Sequence, residues 1–152
     1  MKKISHAWKP GDIVRIPLQD GFSGFGRVLQ RPLMAFYNLK SKESPALEQI
    51  LSAPTIFKVW VMTSIITKGE WPVIGSKPLS PDLEEQPEFF KIDPISRKLS
   101  IYLGNGLERP ATVIECEKLE SAAVWSANHL VDRLNDYFDG IPNKWVESMK
   151  PK

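Results

Sequence analysis

Cysteine and histidine, which often act as nucleophiles, catalytic bases or metal ligands, are rare in this sequence. Cys116 is the one cysteine, and the histidines are His6 and His129. Zinc requires about four Cys, His or carboxylate ligands at compatible spacing, and these residues show no paired spacing. Glu115 and Glu117 flank Cys116, and their charges would raise the pKa of its thiol. We therefore predict that Cys116 is a small buried hydrophobic residue, and that the chain has no metal site and needs no cofactor.

The sequence also lacks a recognisable catalytic arrangement. No serine lies in a Gly-x-Ser-x-Gly elbow. His129 has Asp132 and Arg133 one turn later on a predicted helix, and an ion pair on the helix surface accounts for it, with partner contact as an alternative. Glu120 precedes that helix, where its charge would stabilise the positive end of the helix dipole. Residues 104–106 lack the lysine and the spacing of a phosphate-binding loop and predict a hairpin turn. We predict a protein that is not an enzyme.

Charge is unevenly distributed along the chain. The net charge is +2, but the first eighty residues are net positive and the remainder is net negative. This argues against a uniformly basic nucleic-acid-binding protein. Small barrels do combine basic grooves with stacking aromatic residues, so nucleic-acid binding stays as an alternative. The residues concerned are Lys2, Lys3, Lys9, Arg15, Arg27 and Arg31, with Trp8, Phe22, Phe25, Phe36 and Tyr37.

Neither export nor membrane insertion is indicated. The basic start of the chain has no apolar stretch behind it, unlike a signal peptide. The most apolar window, Ile56–Ile66, is far shorter than the roughly 20 apolar residues that cross a bilayer. We expect a cytoplasmic protein with no membrane partner.

Alternating apolar residues and turn signals predict a β-meander in the first forty residues. Asp20–Gly24 is a hairpin signal, and Gly26 within the returning strand predicts a bulge or a close backbone approach. Further strands are expected at Ile56–Ile66, Val73–Gly75, Phe89–Ile92, Leu99–Leu103 and Ala111–Ile114.

Two helices are predicted, one short and one long. Ser44 and Pro45 resemble the start of a short helix that ends before Pro54. Apolar residues recur at helical spacing from Ser121 to Phe138, and Gly140 is placed to end that helix. The apolar stripe comprises Val124, Ala127, Leu130, Val131, Leu134, Tyr137 and Phe138. The fold class is α+β in a single domain over residues 1–152, mainly antiparallel, with a small bent sheet or an open barrel.

Several stretches resemble the immunity protein 26 family of bacterial polymorphic-toxin systems. They are GDIVRIPLQDGFSGFGRVL (11–29), AFYNL (35–39), FKV (57–59), WPVIG (71–75), ECEKLESAAVWSANHLVDRL (115–134) and PNKWV (142–146). The resemblance implies a cytosolic, non-catalytic antidote that binds and neutralises a cognate toxin domain. It implies nothing about the contact surface, the toxin's identity or the oligomeric state.

A toxin that attacks nucleic acid needs a basic groove, so its inhibitor should present acidic side chains. One acidic group lies in a predicted exposed loop over residues 76–88, and a second lies on the polar side of the long helix. The candidate partner-binding residues are Asp82, Glu84, Glu85 and Glu88 in the loop, and Asp132 and Asp136 on the helix.

A second resemblance keeps an enzyme alternative open. KPGDIVRIPL (9–18) and RPLMAF (31–36) are similar to the start of small-barrel, ribosome-independent toxin endoribonucleases. In that alternative, Arg15, Arg27 and Glu115 are the residues whose replacement would abolish RNA cleavage. The match does not extend beyond residue 40.

Overall fold

The computed structural model describes residues 9–151. Over this range ten strands form two mostly antiparallel sheets, which confirms the predicted α+β class. The strands are β1 (Asp12–Pro17), β2 (Ser23–Val28), β3 (Leu33–Ser41), β4 (Thr55–Val61), β5 (Val73–Ser76), β6 (Phe89–Ile92), β7 (Leu99–Gly104), β8 (Leu107–Pro110), β9 (Glu120–Ser121) and β10 (Val124–Trp125).

Six α-helices accompany these strands in the described part of the chain, so short helices are more numerous than predicted. They are α1 (Leu47–Ser52), α2 (Ser64–Thr67), α3 (Pro81–Glu84), α4 (Val113–Cys116), α5 (Ala127–Asp139) and α6 (Lys144–Ser148). The longest is α5, with 13 residues. Between residues 9 and 151, every helix falls short of the length and apolar character that a membrane crossing requires.

The larger sheet contains the predicted meander. Its strand order is β10-β4-β3-β2-β1-β5, in which β1 to β4 pair antiparallel in sequence and β10 pairs parallel with β4. The smaller sheet has the order β8-β7-β6-β9. A barrel would need β10 to pair with β5, and no such pairing occurs in the described residues. The sheet is therefore open and does not close into a barrel, which agrees with the predicted bent sheet or open barrel.

Gly26 lies where β2 and β3 shift register. The pairing of the two strands is irregular between Gly24 and Gly26. A Cβ atom at Gly26 would lie 3.0 Å from the terminal methyl of Met34, which is closer than such contacts normally are. The register shift agrees with the predicted bulge, although the extra residues lie on β3, and the nearest neighbour at Gly26 is a side chain rather than backbone.

Alternate residues of β3 face two different layers. Met34 and Phe36 belong to the helix-side core, which also contains Trp125, Leu130 and Leu134. Leu33 and Ala35 face the opposite side of the sheet. There they pack in the inter-sheet core, whose buried residues are Leu29, Leu33, Ala35, Leu83 and Phe89.

The long helix starts later than predicted. Ser126 is its N-cap and accepts a hydrogen bond from the main-chain N–H of His129, so residues 121–125 lie outside it. These residues instead pair in β9 and β10, and Val124 of the predicted stripe is exposed. The helix ends as predicted, because Gly140 has a φ of 71°, a left-handed conformation that favours glycine.

The predicted strand Ala111–Ile114 is wrong. Thr112 accepts a hydrogen bond from the main-chain N–H of Glu115, and the Glu115 carboxylate accepts one from the main-chain N–H of Thr112. This reciprocal capping box starts a helix at Val113, so the local cap overrides the β propensity of the apolar run. Glu115 therefore lies in this helix, and Glu117 is its C-cap.

Two other boundaries also differ from the prediction. The strand expected over Ile56–Ile66 ends at Val61, and Ile65 and Ile66 are buried in α2 instead. The first helix begins at Leu47 with Ala46 as its N-cap, rather than at Ser44. A short apolar run can form either a buried strand or a buried helical turn, and periodicity alone does not distinguish the two.

Asn143 joins the last two helices. Its side-chain oxygen accepts hydrogen bonds from the main-chain N–H groups of Trp145 and Val146, and its Nδ2 donates to Asp136 at 2.9 Å. Asn143→Ala is expected to lower the free energy of unfolding by about 0.5–2 kcal/mol, the usual value of a lost N-cap. Urea denaturation followed by circular dichroism would measure it. A loss below about 0.5 kcal/mol, typical of surface positions, would contradict this role.

Candidate partner-binding surface

The acidic segment, residues 82–88, begins within the short helix α3 and continues beyond it. Asp82, Glu84, Glu85 and Glu88 are exposed, as predicted. Leu83 lies between them but is buried in the inter-sheet core. The predicted loop therefore contains a short helix, and its buried leucine fixes the backbone from which the carboxylates project.

The charges of the acidic segment are largely uncommitted. The Ser80 side chain, through its hydrogen bond, holds the pKa of Asp82 below its ordinary value, and Lys58 acts in the same direction. Asp82 is therefore ionised at neutral pH. Within residues 9–151, the side chains of Glu84, Glu85 and Glu88 make no hydrogen bond or ion pair. Glu84 and Glu85 can approach a basic surface without losing an interaction inside the protein, whereas the charge of Glu88 already acts on Arg109.

The helix acids are already used within the chain. Asp132 accepts a hydrogen bond from the indole Nε1 of Trp145 at 3.2 Å, and Asp136 accepts one from Asn143. Both contacts tie α6 to α5. A partner that bound these carboxylates would compete with the protein's own donors.

The structure does not bring the two acidic groups together. Leu83, in the acidic segment, packs on the face of the large sheet that presents Leu33 and Ala35. Helix α5 packs on the face that presents Met34 and Phe36. The acidic segment and the helix acids therefore lie over opposite faces of the sheet.

His129 and Glu120 have structural contacts other than those predicted. The His129 ring stacks on Trp145 with centroids 3.7 Å apart, so the expected ion pair with Asp132 is absent among the described contacts. Glu120 forms a bidentate ion pair with Arg133, at 2.7 and 2.8 Å, instead of acting at the start of a helix. The Arg133 guanidinium lies 3.6 Å from the centre of the Phe57 ring. This cluster clamps α5 to both sheets.

Cys116 is buried, as predicted. Burial raises the pKa of its thiol, and the charge of Glu115 acts in the same direction. Glu115 itself is held by Arg109 at 2.8 Å and by the capping box, and both lower its pKa. These contacts keep the thiol protonated and Glu115 ionised at neutral pH, which suits neither a thiolate nucleophile nor a general acid.

The residues of the endoribonuclease alternative are not assembled into one site. Arg27 is buried beneath the large sheet, Arg15 is exposed on β1, and Glu115 lies on α4. Within residues 9–151, no hydrogen bond or ion pair joins any two of them. In the described range, no group of three or more His, Cys, Asp or Glu side chains is placed to hold a metal ion.

The aromatic residues of the nucleic-acid alternative are mostly inside the protein. Phe25, Phe36 and Tyr37 are buried, and Phe22 lies beneath the ammonium groups of Lys40 and Lys42. Buried rings are not available to stack on bases. Lys2, Lys3 and Trp8 lie outside the described residues.

Sequence reasoning missed a groove beside the acidic segment. It has a volume of about 710 Å³, and its lining includes Arg27, Tyr37, Lys77 and Asp82. Arg27 lies two residues from Phe25 and two from Leu29, so the three side chains share one face of β2 and its continuation. Both apolar neighbours are buried. An arginine at an inward position of an apolar strand was the sequence signal for this feature.

A family model matches most of the chain. The model of the family described as Immunity protein 26 matches residues 9–100, which include the meander, the acidic segment and the lining of the groove. More than half of the chain is matched, so this chain belongs to the immunity protein 26 family. The matched range leaves out α5, and with it the predicted resemblance at residues 115–146. Comparison with curated proteins and with solved structures gives no significant match.

Proposed function

We propose that this protein is a cytoplasmic, non-catalytic antidote, a single domain that binds and neutralises a cognate toxin domain. Membership of the immunity protein 26 family is the observation that carries the proposal. The partner is a protein, and neutralisation is by occlusion of the toxin's working surface. The oligomeric state of the antidote does not enter this argument.

The acidic segment is the proposed contact surface. Its four carboxylates are exposed, and those of Glu84, Glu85 and Glu88 make no hydrogen bond or ion pair in the described chain, whereas Asp132 and Asp136 already accept hydrogen bonds. A partner that bound Asp132 or Asp136 would break the hydrogen bond that the carboxylate already accepts. The acidic segment has fewer such bonds to lose, so it is the better acceptor for a basic partner. A buried leucine holds the segment in place, which lowers the entropy cost of binding.

Protection in living cells tests the function. The candidate toxin, the C-terminal domain encoded by the neighbouring upstream gene, would be expressed alone and together with this protein. The proposal expects growth arrest by the toxin and recovery on co-expression. Arrest that persists despite folded, abundant antidote would contradict it. The purified antidote should also leave structured RNA intact, whereas cleavage would favour the endoribonuclease alternative.

Charge reversal tests the contact surface. Replacing Glu84, Glu85 and Glu88 by lysine is expected to slow association with the toxin domain about tenfold or more at low salt, because electrostatic steering is lost. Stopped-flow fluorescence would measure the association rate. The matched control reverses the same number of exposed glutamates elsewhere, namely Glu43, Glu48 and Glu70. Equal rates for the two triple variants would exclude the acidic segment as the contact surface.

A further inference from the structure

The groove beside the acidic segment has a buried cation at its floor. Arg27 is 3% exposed, and its guanidinium donates to the main-chain oxygens of Gly11, Lys77 and Pro78 and to the hydroxyl of Tyr37. All of these acceptors are neutral. Within residues 9–151, no carboxylate forms an ion pair with Arg27. A buried charge without an opposite charge is costly, so the site favours an anion.

Two donor hydrogens at this floor, one on Arg27 Nη1 and one on the Tyr37 hydroxyl, have no acceptor in the described chain. Arg27 Nε donates once and Nη2 donates twice, but Nη1 uses only one of its two hydrogens, toward Tyr37 at 3.1 Å. The Tyr37 hydroxyl accepts that bond, and its own hydrogen has no acceptor among residues 9–151. Tyr37 is 2% exposed. The free N–H of Arg27 and the free O–H of Tyr37 are neighbouring donors beside one positive charge. Together they can donate to the two oxygens of a carboxylate.

We propose that this groove receives an acidic side chain of the toxin domain. The volume of about 710 Å³ is far larger than a free small anion fills. Leu51, Ala53 and Leu83 add apolar lining that suits the carbon atoms of a peptide segment. The proposal rests on the proposed function and specifies the toxin's chemistry. The toxin carries a projecting carboxylate within a basic surface that faces the acidic segment.

Other charges at the groove are compatible with an anionic occupant. Asp82 lines the groove, but it is exposed, and the Lys58 ammonium donates to its main-chain oxygen at 3.2 Å. Lys77 is exposed and also lines the groove. Counting Arg27, the positive charges outnumber the negative charge of Asp82.

A small probe tests the carboxylate site without any toxin. N-acetylglutamate amide would be titrated into ¹⁵N-labelled protein, with N-acetylglutamine amide as the neutral control. The Arg27 Nε–H resonance is expected to shift saturably with the carboxylate probe and not with the control. No selective shift at probe concentrations up to saturation of solubility would overturn the proposal, and it would leave the antidote function untouched.

Binding of the toxin domain tests the occupant. Tyr37→Phe removes the hydroxyl while keeping the ring, and it should weaken toxin binding about 10- to 100-fold, as a lost hydrogen bond to a charged group does. Ala53→Leu narrows the groove at the C-cap of α1 without replacing Arg27. Ala46→Leu, at the N-cap of the same helix and outside the groove, is its control. Neutralising one toxin acid should weaken binding to the parent protein and have little further effect on Tyr37→Phe. Toxin affinity that is unchanged by both Tyr37→Phe and Ala53→Leu would show a small-anion site only and overturn the proposal.

Discussion

Leu134→Ala is expected to lower the free energy of unfolding by about 2–5 kcal/mol, the cost of a large truncation in a packed core. Leu134 is 1% exposed and lies in the helix-side core with Met34 and Trp125. One of its methyl groups lies 3.8 Å from the position a Cβ would take at Gly24 on the sheet. Truncation leaves a cavity there, because a sheet and a helix that are fixed elsewhere relax only partly.

Urea denaturation followed by tryptophan fluorescence and by circular dichroism measures this loss. Asn128→Ala is the control, since Asn128 is exposed on the same helix and should change stability by less than about 0.5 kcal/mol. If Leu134→Ala cost as little as Asn128→Ala, the wrong face of α5 would have been placed against the sheet.

Glu120→Ala is expected to cost about 1–3 kcal/mol, the usual range for a buried group that loses a charged hydrogen-bond partner. The Arg133 side chain is 11% exposed and lies between Phe57 and Trp125. Without Glu120, its guanidinium keeps the ring contacts but loses both charged hydrogen bonds. Glu120→Gln keeps one acceptor oxygen and should cost less than the alanine variant.

The same denaturation experiment decides between a clamp and a surface pair. Glu117→Ala is the matched control, because Glu117 is exposed and has no ion pair among the described residues. Equal losses for Glu120→Ala and Glu117→Ala would mean that the Arg133 pair contributes no more than an exposed charge does.

The sequence predicted secondary structure correctly where an element depends on residues close to it in the chain. The β1–β2 hairpin turns at Gly21, within the predicted turn Asp20–Gly24, and Gly140 ends α5 as predicted. The prediction of a helix from Ser121 was wrong because β9 and β10 are two-residue strands that pair in parallel with distant partners. Their helical periodicity is genuine, but tertiary pairing overrides it.

The candidate surface was predicted in part for the same reason. Exposure of the acidic segment follows from its composition, whereas the anchoring of Leu83 depends on a distant sheet face. The groove brings together residues from β2, β3 and the stretch after β5. Nothing in the spacing of Arg27, Tyr37 and Lys77 predicts that meeting. The sequence does not distinguish the helix acids from the acidic segment. In the fold, Trp145 and Asn143 donate hydrogen bonds to Asp132 and Asp136.

Calorimetric titration of the purified toxin domain with this protein is the most direct test of the proposed antidote function. We expect saturable binding at a fixed stoichiometry and loss of the toxin's activity at the same molar ratio. The reversed variant Glu84→Lys, Glu85→Lys, Glu88→Lys should need a higher concentration to reach the same inhibition. No binding heat at any of several temperatures, with the toxin fully active beside excess folded protein, would contradict the assignment of this chain as its antidote.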